Sequence, residues 1–450
     1  MHVAVIGAGI TGLSAAVELR GRGASVTVLE ATDRVGGVIT TVRREGFLVE
    51  AGPTSLTATA PLEGLIDRLG IGDQRISTAA AAKRRYIVRN NALVALPDGP
   101  AALAGTSAIS ASAKFALMRE PFVRARHDQE DESLADLVRR RLDEEILDYL
   151  VNPLIAGIYA GDPERLSVRY AMPMLFNGER KHGSLIVGAM KEMKSKAGIV
   201  RQKGITSFIH GLGTLPEFMA ASLGNAVHTG TRVTRVDRLG DGTWSLQTQG
   251  AHHGVVECDA VICAAPAYAL GSMGLPREVA GALGPVTRIV HPAVATLALG
   301  FRREDIPHAL DGFGVLVPAV EKRTILGAIF SSSVFAGRAP DGHVLLTCFL
   351  GGLRSPEFGA ADTAAVLPKV MADLRQLLGA RGEPMFVHHQ RWMQAIPQYE
   401  LGHEHVISAA ASIESALPGL YLTGQWRAGV ALGDCIAQGQ STAARVVAER

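Results

Sequence analysis

The sequence predicts an α/β fold: a discontinuous Rossmann-like unit that carries an antiparallel-sheet unit and a helical insertion. Three observations predict it. A strand, a glycine turn, a helix and a second strand follow one another at the start of the chain. Apolar residues recur at helical spacing between about residues 84 and 205. Segments rich in Val, Ile, Leu, Phe and Thr, punctuated by Gly and Pro, fill residues 266–404. The 450 residues suffice for about three domains. With 47% hydrophobic and 20% charged residues, and 45 Lys+Arg against 43 Asp+Glu, the chain is neither disordered nor a basic nucleic-acid binder.

Residues 2–7 (HVAVIG) read as a fully buried parallel strand and not as a leader, and residues 11–22 as a helix. ASVTVLE is a second strand ending at Glu30, and DRVGG supplies a second glycine turn. The helical insertion follows, with SLADLVRRRLDEEILDYLVNPLIAGIY at its centre. Its far end, residues 178–204, holds seven Lys/Arg against two acids and reads as a solvated face, with an anionic-lipid contact as the alternative. HTGTRVTRVDR and TWSLQTQ read as strands, and ECDAVICAAP as a buried strand. AVATLALGF, GFGVLVP, TILGAIFSS and HVLLTCFLGG form a largely antiparallel sheet, and LYLTGQ leads into a final helix over 431–449. The expected units are therefore 1–83 with 206–265 and 405–450, the helical 84–205, and the sheet-rich 266–404. Cys258, Cys263, Cys348 and Cys435 show no metal or disulfide spacing, which fits a reducing, cytoplasmic setting and no metal. No apolar run approaches the ~18 residues of a membrane span, so any membrane contact is peripheral.

GAGITG satisfies GxGxxG in the right setting, after a strand and opening a helix. Gly7 permits the tight turn, Gly9 lets backbone N–H groups reach a pyrophosphate, and Gly12 allows close helix–strand packing. Glu30 is placed to accept hydrogen bonds from a ribose 2′-OH, and its charge opposes a 2′-phosphate, leaving FAD or NAD.

DRVGG directly after Glu30 resembles the second glycine turn of the flavin amine oxidase superfamily, which selects FAD and places Gly36, Gly37 and Arg34 near its pyrophosphate. YLTGQWRAGVALGDC resembles that superfamily's C-terminal segment, implying that Gly424, Val430 and Asp434 lie at the flavin. NPLIAGIYAGDPERLSVRYAMPMLF, GSLI, PQYELGH and GVALGDCIAQGQ are more specific and, in order along nearly the whole chain, resemble the porphyrinogen-oxidising flavoenzymes. The resemblance implies FAD-dependent oxidation of protoporphyrinogen IX to protoporphyrin IX in haem biosynthesis. Six electrons leave in three hydride transfers to flavin N5, with dioxygen as acceptor and hydrogen peroxide formed. It also implies the turn at Gly52 near the flavin, adenine binding by the Val233 backbone, a substrate carboxylate on Arg85, and a macrocycle sandwiched by Phe313, Leu316 and Phe349. Lys83, Arg84 and Arg89 could take the role of Arg85. Cys435 lacks the setting of a covalent flavin link, so FAD is expected noncovalently. Tyr399 and His403 lie inside PQYELGH, and His403 is assigned no catalytic proton transfer. Coproporphyrinogen III as substrate, another amine oxidase or carotenoid desaturase activity, and a noncatalytic binding protein on the same scaffold remain open. So do a homodimer and a peripheral membrane contact.

Overall fold

Five strands form a parallel sheet in the order Val227–His228, Ser25–Leu29, His2–Ile6, Ala260–Cys263, Leu420–Leu422. In this computed structural model residues 1–97, 99–126, 130–196 and 204–449 are described. The central strand is apolar on both sides because layers pack against both faces. Val3, Val5 and Ile262 bury with Leu13, Val17 and Ile436 on one side, and Ala4, Ile6 and Val261 with Trp244 and Ile413 on the other. The helices Ile10–Gly21 and Leu432–Ala448 share the first of these cores, so the two ends of the chain meet on one sheet.

A second, seven-stranded sheet runs in the order Phe386–Trp392, Val294–Arg302, His343–Gly351, Gly327–Ile329, Gly312–Leu316, Arg84–Arg89, Ala92–Ala95. All its pairings are antiparallel except that of Gly312–Leu316 with Arg84–Arg89. One face, carrying Leu297, Cys348, Ala328 and Val315, is packed by Val366, Val370 and Leu374 of the helix Thr363–Leu378. The segment 84–95, expected within the helical insertion, belongs instead to this sheet. Tyr86 and Val88 alternate into its core, a period of two that helical spacing cannot satisfy.

The insertion proper contains the helices Leu134–Arg141, Asn152–Tyr159, Pro173–His182 and Leu185–Lys196. A buried ion network pins the first, third and fourth of these together. Arg141, fully buried, donates to Glu120 (2.7 Å) and Glu179 (2.9 Å), and Glu120 also accepts from Ser184 Oγ (2.5 Å) and the Leu185 N–H (2.8 Å) at the start of the last helix. Burial works against the charge of Glu179, but hydrogen bonds from Arg140 and the Arg126 N–H and the charge of Arg141 hold its carboxyl down at about 2. In the basic stretch Lys181 and Lys191 are exposed, as a solvated face requires; the side chains of Lys194 and Lys196, together with residues 197–203, lie outside the described residues. Among the described residues no helix is long and apolar enough to cross a membrane.

Candidate active site

The nucleotide cradle is built where the first strand turns into the first helix. A Cβ on Gly12 would collide with the Gly7 carbonyl and touch Ala264 Cβ at 3.3 Å, so only glycine lets helix and strand approach this closely. A Cβ on Gly9 would meet nothing within 4 Å, which leaves an open side at the helix start. No side chain caps this helix, whose first-turn N–H groups point along its positive end. The two glycine turns lie against each other: the Gly36 N–H donates to the Ala8 carbonyl (2.8 Å), and Gly9 and Gly36 form an isolated bridge. Arg34 donates to the carbonyls of Gly37 (2.7 Å) and Ile39 (3.2 Å), bracing the second turn from outside. Glu30 is buried: Oε1 accepts from the Thr32 N–H (2.8 Å) and hydroxyl (2.7 Å), while Oε2 accepts from the Ala8 N–H (2.8 Å) and keeps a lone pair. Val233 lies on the strand Thr231–Arg238, at a bulge between residues 233 and 235, and the Thr231 N–H ties this strand to the Glu30 carbonyl (2.7 Å).

The C-terminal turn and the Gly52 turn are each fixed by their own close contacts. Gly424 precedes the short helix Gln425–Ala428, and Asp434 stands in the first turn of Leu432–Ala448, which has no side-chain cap. Val430 contributes its carbonyl to Gln425 Nε2 (3.0 Å). At Gly52 a Cβ would collide with the Val38 carbonyl. The preceding Ala51 carbonyl accepts two buried donors from the seven-stranded sheet, Thr296 Oγ1 (3.0 Å) and Trp392 Nε1 (2.8 Å).

Strand register explains how the remaining residues meet. Thr296, Phe349, Gly327 and Leu316 are successive cross-strand partners and so lie in one row on the sheet face opposite the Thr363–Leu378 helix. Phe349 and Leu316 are half-buried, two strands or about 10 Å apart. Gly327 stands between them, where a Cβ would lie 2.6 Å from the Val315 carbonyl, so glycine is needed for the close pairing of these strands. Two residues along, Ile329, Gly314 and Arg85 form the next row of the same face. Phe313 sits at the irregularity between Gly312 and Gly314, and its ring lies 5.7 Å from the Arg85 guanidinium carbon. Leu316 also faces the helix Asn152–Tyr159, where a Cβ on Gly157 would lie 3.4 Å from it.

The four cations of this segment differ in their partners. Arg84 pairs with Asp311, whose carboxylate also accepts from the Tyr86 hydroxyl (2.6 Å). Arg89 pairs with Glu145 (2.7 Å) and stacks on Tyr149 (4.4 Å). Arg85 is exposed and has no carboxylate partner among the described residues, and Lys83 is exposed at the end of a short helix.

Residues 10–447 match the family described as flavin containing amine oxidoreductase. The chain belongs to this family. Within it, this flavin oxidoreductase is 33% identical to protoporphyrinogen oxidase 2 of Arabidopsis thaliana, over 99% of this chain and 94% of that protein. It is 30% identical to the coproporphyrinogen III oxidase of Bacillus subtilis, over 98% of this chain and 96% of that one. A solved structure from an Exiguobacterium species, provisionally named a protoporphyrinogen oxidase, superposes with a TM-score of 0.84 at 25% identity, covering 100% of this chain and 99% of that one. The chain is thus an FAD oxidoreductase of the porphyrinogen oxidase group. The cradle fits FAD: open space over Gly9, an uncapped helix start, and the buried Glu30 carboxylate.

Several residues around the flavin oxidoreductase's site carry no local sequence signal. Gly327, Thr296 and Trp392 are identified only by register and by the Ala51 carbonyl. Beneath Phe313 a cavity of about 10 Å³, room for one water, is lined by Glu50, Thr54, Ile329, Phe335 and Arg338. Burial pushes the Glu50 carboxyl up and the Arg338 guanidinium down, and Arg338 Nη1 has no hydrogen-bond partner. Arg338 Nη2 donates to Ser207 Oγ (2.8 Å) and the Phe208 carbonyl (3.2 Å), fastening the sheet to the FAD-binding unit. A cluster of arginine and carboxylate far apart in sequence is the kind of pair that only folding brings together.

Proposed function

We propose that the chain oxidises a porphyrinogen, with protoporphyrinogen IX as substrate and dioxygen as electron acceptor, in haem biosynthesis. The observation that carries this reading is the sheet face: half-buried Phe349 and Leu316 in one row, with Arg85, which has no carboxylate partner among the described residues, beside Phe313 at its edge. FAD, when bound, takes up the hydride removed at each two-electron step and returns the electrons to the acceptor. The residues of this chain do the rest. Phe349 and Leu316 take the two sides of a flat apolar macrocycle, and Phe313 holds the Arg85 guanidinium where it receives a propionate in bidentate fashion. Gly7, Gly9, Gly12, Glu30, Arg34, Gly36, Gly37 and Val233 hold the adenosine and pyrophosphate end of FAD; Gly52, Gly424, Val430 and Asp434 border its ring. The Cys435 thiol, pushed up to about 11 by burial, is not an available thiolate, which supports noncovalent FAD.

A single unpaired arginine at the face favours the substrate with fewer carboxylates. Porphyrin fluorescence with time, from the FAD-loaded protein and anaerobically prepared protoporphyrinogen IX or coproporphyrinogen III, tests this after autoxidation is subtracted. Faster turnover of protoporphyrinogen is expected. Preference for coproporphyrinogen would move the substrate assignment, and no acceleration of either would overturn the reading. The same reading includes a peripheral membrane contact through the helical unit, where Phe115 (61% exposed), Met118 (65%) and Phe122 (87%) stand beside exposed Arg119 and Arg124. Co-sedimentation with anionic but not neutral vesicles is the expected result; absence from both pellets would contradict it.

A further inference from the structure

We propose that Tyr399 is a positioning residue whose hydroxyl fixes the shape of the C-terminal turn, and through it the surroundings of the flavin ring. The inference rests on the reading that residues 424–434 border that ring. The Tyr399 hydroxyl donates to the Gln425 carbonyl (2.5 Å) and accepts from the Gly429 N–H (2.7 Å), so it spans the turn from one limb to the other. Gln425 Nε2 closes the same turn from within by donating to the Val430 carbonyl (3.0 Å). Gly429 has φ +123°, and a Cβ there would collide with Asp434, so this backbone is held in a conformation that needs an external brace.

The brace is itself rigid. Tyr399 is 1% exposed, and its ring stacks on His403 with centroids 4.2 Å apart and planes at 25°. Its segment is stitched to the helical unit. The Ser167 N–H donates to the Tyr399 carbonyl (2.9 Å), the Leu401 N–H to the Arg165 carbonyl (2.9 Å), and Gln398 Nε2 to the Tyr159 carbonyl (2.8 Å). Tyr159 ends the helix that carries Gly157 beside Leu316. One hydroxyl therefore links the wall of the substrate face to the flavin-bordering turn. Burial pushes the phenol well above its ordinary value, so the hydroxyl stays a donor throughout the neutral range.

Tyr399→Phe removes the hydroxyl and keeps the stack. Titration of the apoprotein with FAD, followed by flavin fluorescence, is expected to show a dissociation constant raised about tenfold, and the reconstituted protein shifted flavin absorption bands. Tyr159→Phe serves as the comparison: it removes another buried hydroxyl of the same cluster, which donates to the Ala171 carbonyl (3.0 Å) and does not touch the turn. It should leave both readouts unchanged. Equal changes in the two variants would mean general loosening of the cluster and overturn the proposal. Gly429→Ala distorts the turn directly. If it shifts the flavin bands and Tyr399→Phe does not, the role of Tyr399 falls while the place of the turn stands. If Gly429→Ala shifts nothing, the turn does not border the flavin and the proposal falls with it.

Discussion

At Gly12 the requirement for glycine is steric, because the atom a side chain would add lands on the Gly7 carbonyl. Backbone cannot move aside as a flexible side chain can. Gly12→Ala is therefore expected to cost about 1–3 kcal/mol of stability and to strip most FAD from the purified protein, read as the flavin-to-protein absorbance ratio. Retention of full flavin would contradict the close-packing argument. Arg85 presents the opposite logic, a group defined by what it lacks. Its neighbours Arg84 and Arg89 have their charges met by Asp311 and Glu145, whereas Arg85 has no carboxylate partner among the described residues and lies over the face of Phe313. The sequence KRRYIVR offers four cations, and local pattern alone leaves them equivalent. Partners supplied by distant segments separate them.

The helix His403–Ala416 begins with a histidine that is 3% exposed and stacked on Tyr399. Burial disfavours its charged form and pushes it down to about 4, against the opposing pull of a hydrogen bond to the Trp426 backbone. Its folded value lies below its ordinary 6.5, so between these limits the unfolded chain binds the extra proton. Stability is then lost as pH falls from about 6.5 to about 4, by on the order of 3 kcal/mol from this group. His403→Gln should flatten that part of a denaturant-midpoint against pH plot; an unchanged slope would show that His403 is not its source. The elements themselves were unequally legible. The first two strands, their glycine turn and the final helix follow from local periodicity, and the structure has each within a residue or two of the sequence reading. The strands Arg84–Arg89 and Ala92–Ala95 read from sequence as part of the helical insertion; the first is held by pairing with Gly312–Leu316, far along the chain, and the second pairs with the first as a local hairpin turning at Asn90 and Asn91. Gly327, Thr296 and Trp392 leave no mark in the sequence because only register and distant contacts place them, whereas Tyr399 lies in the PQYELGH motif and only the partners of its hydroxyl are invisible there. Phe313, Leu316 and Phe349 were reached through family resemblance, and register brings them to one face with Arg85.

At the scale of the whole molecule, the candidate active site has contributions from three units: the cradle of the parallel sheet, the open face of the seven-stranded sheet, and the helix Asn152–Tyr159. The buried network of Arg141, Glu120, Glu179 and Arg140 joins the helices Leu134–Arg141, Pro173–His182 and Leu185–Lys196 of the unit that carries this last helix. Glu179→Gln removes one countercharge from buried Arg141, and breaking such a pair costs about 3–5 kcal/mol. The expected outcome is a lowered melting transition and raised KM with FAD retained; an unaltered melting temperature would show that the network carries no stability. Because the Glu179 carboxyl lies at about 2 rather than 4.5, its contribution is present above pH 4.5 and disappears as pH falls toward 2. The central claim is that a porphyrinogen lies on the shared face with its carboxylate on Arg85. Steady-state porphyrin formation by the wild-type and Arg85→Ala proteins, at matched FAD content, tests it most directly. The account predicts that kcat/KM falls about tenfold or more while FAD occupancy and melting temperature stay unchanged. Unchanged porphyrinogen kinetics in Arg85→Ala would contradict it.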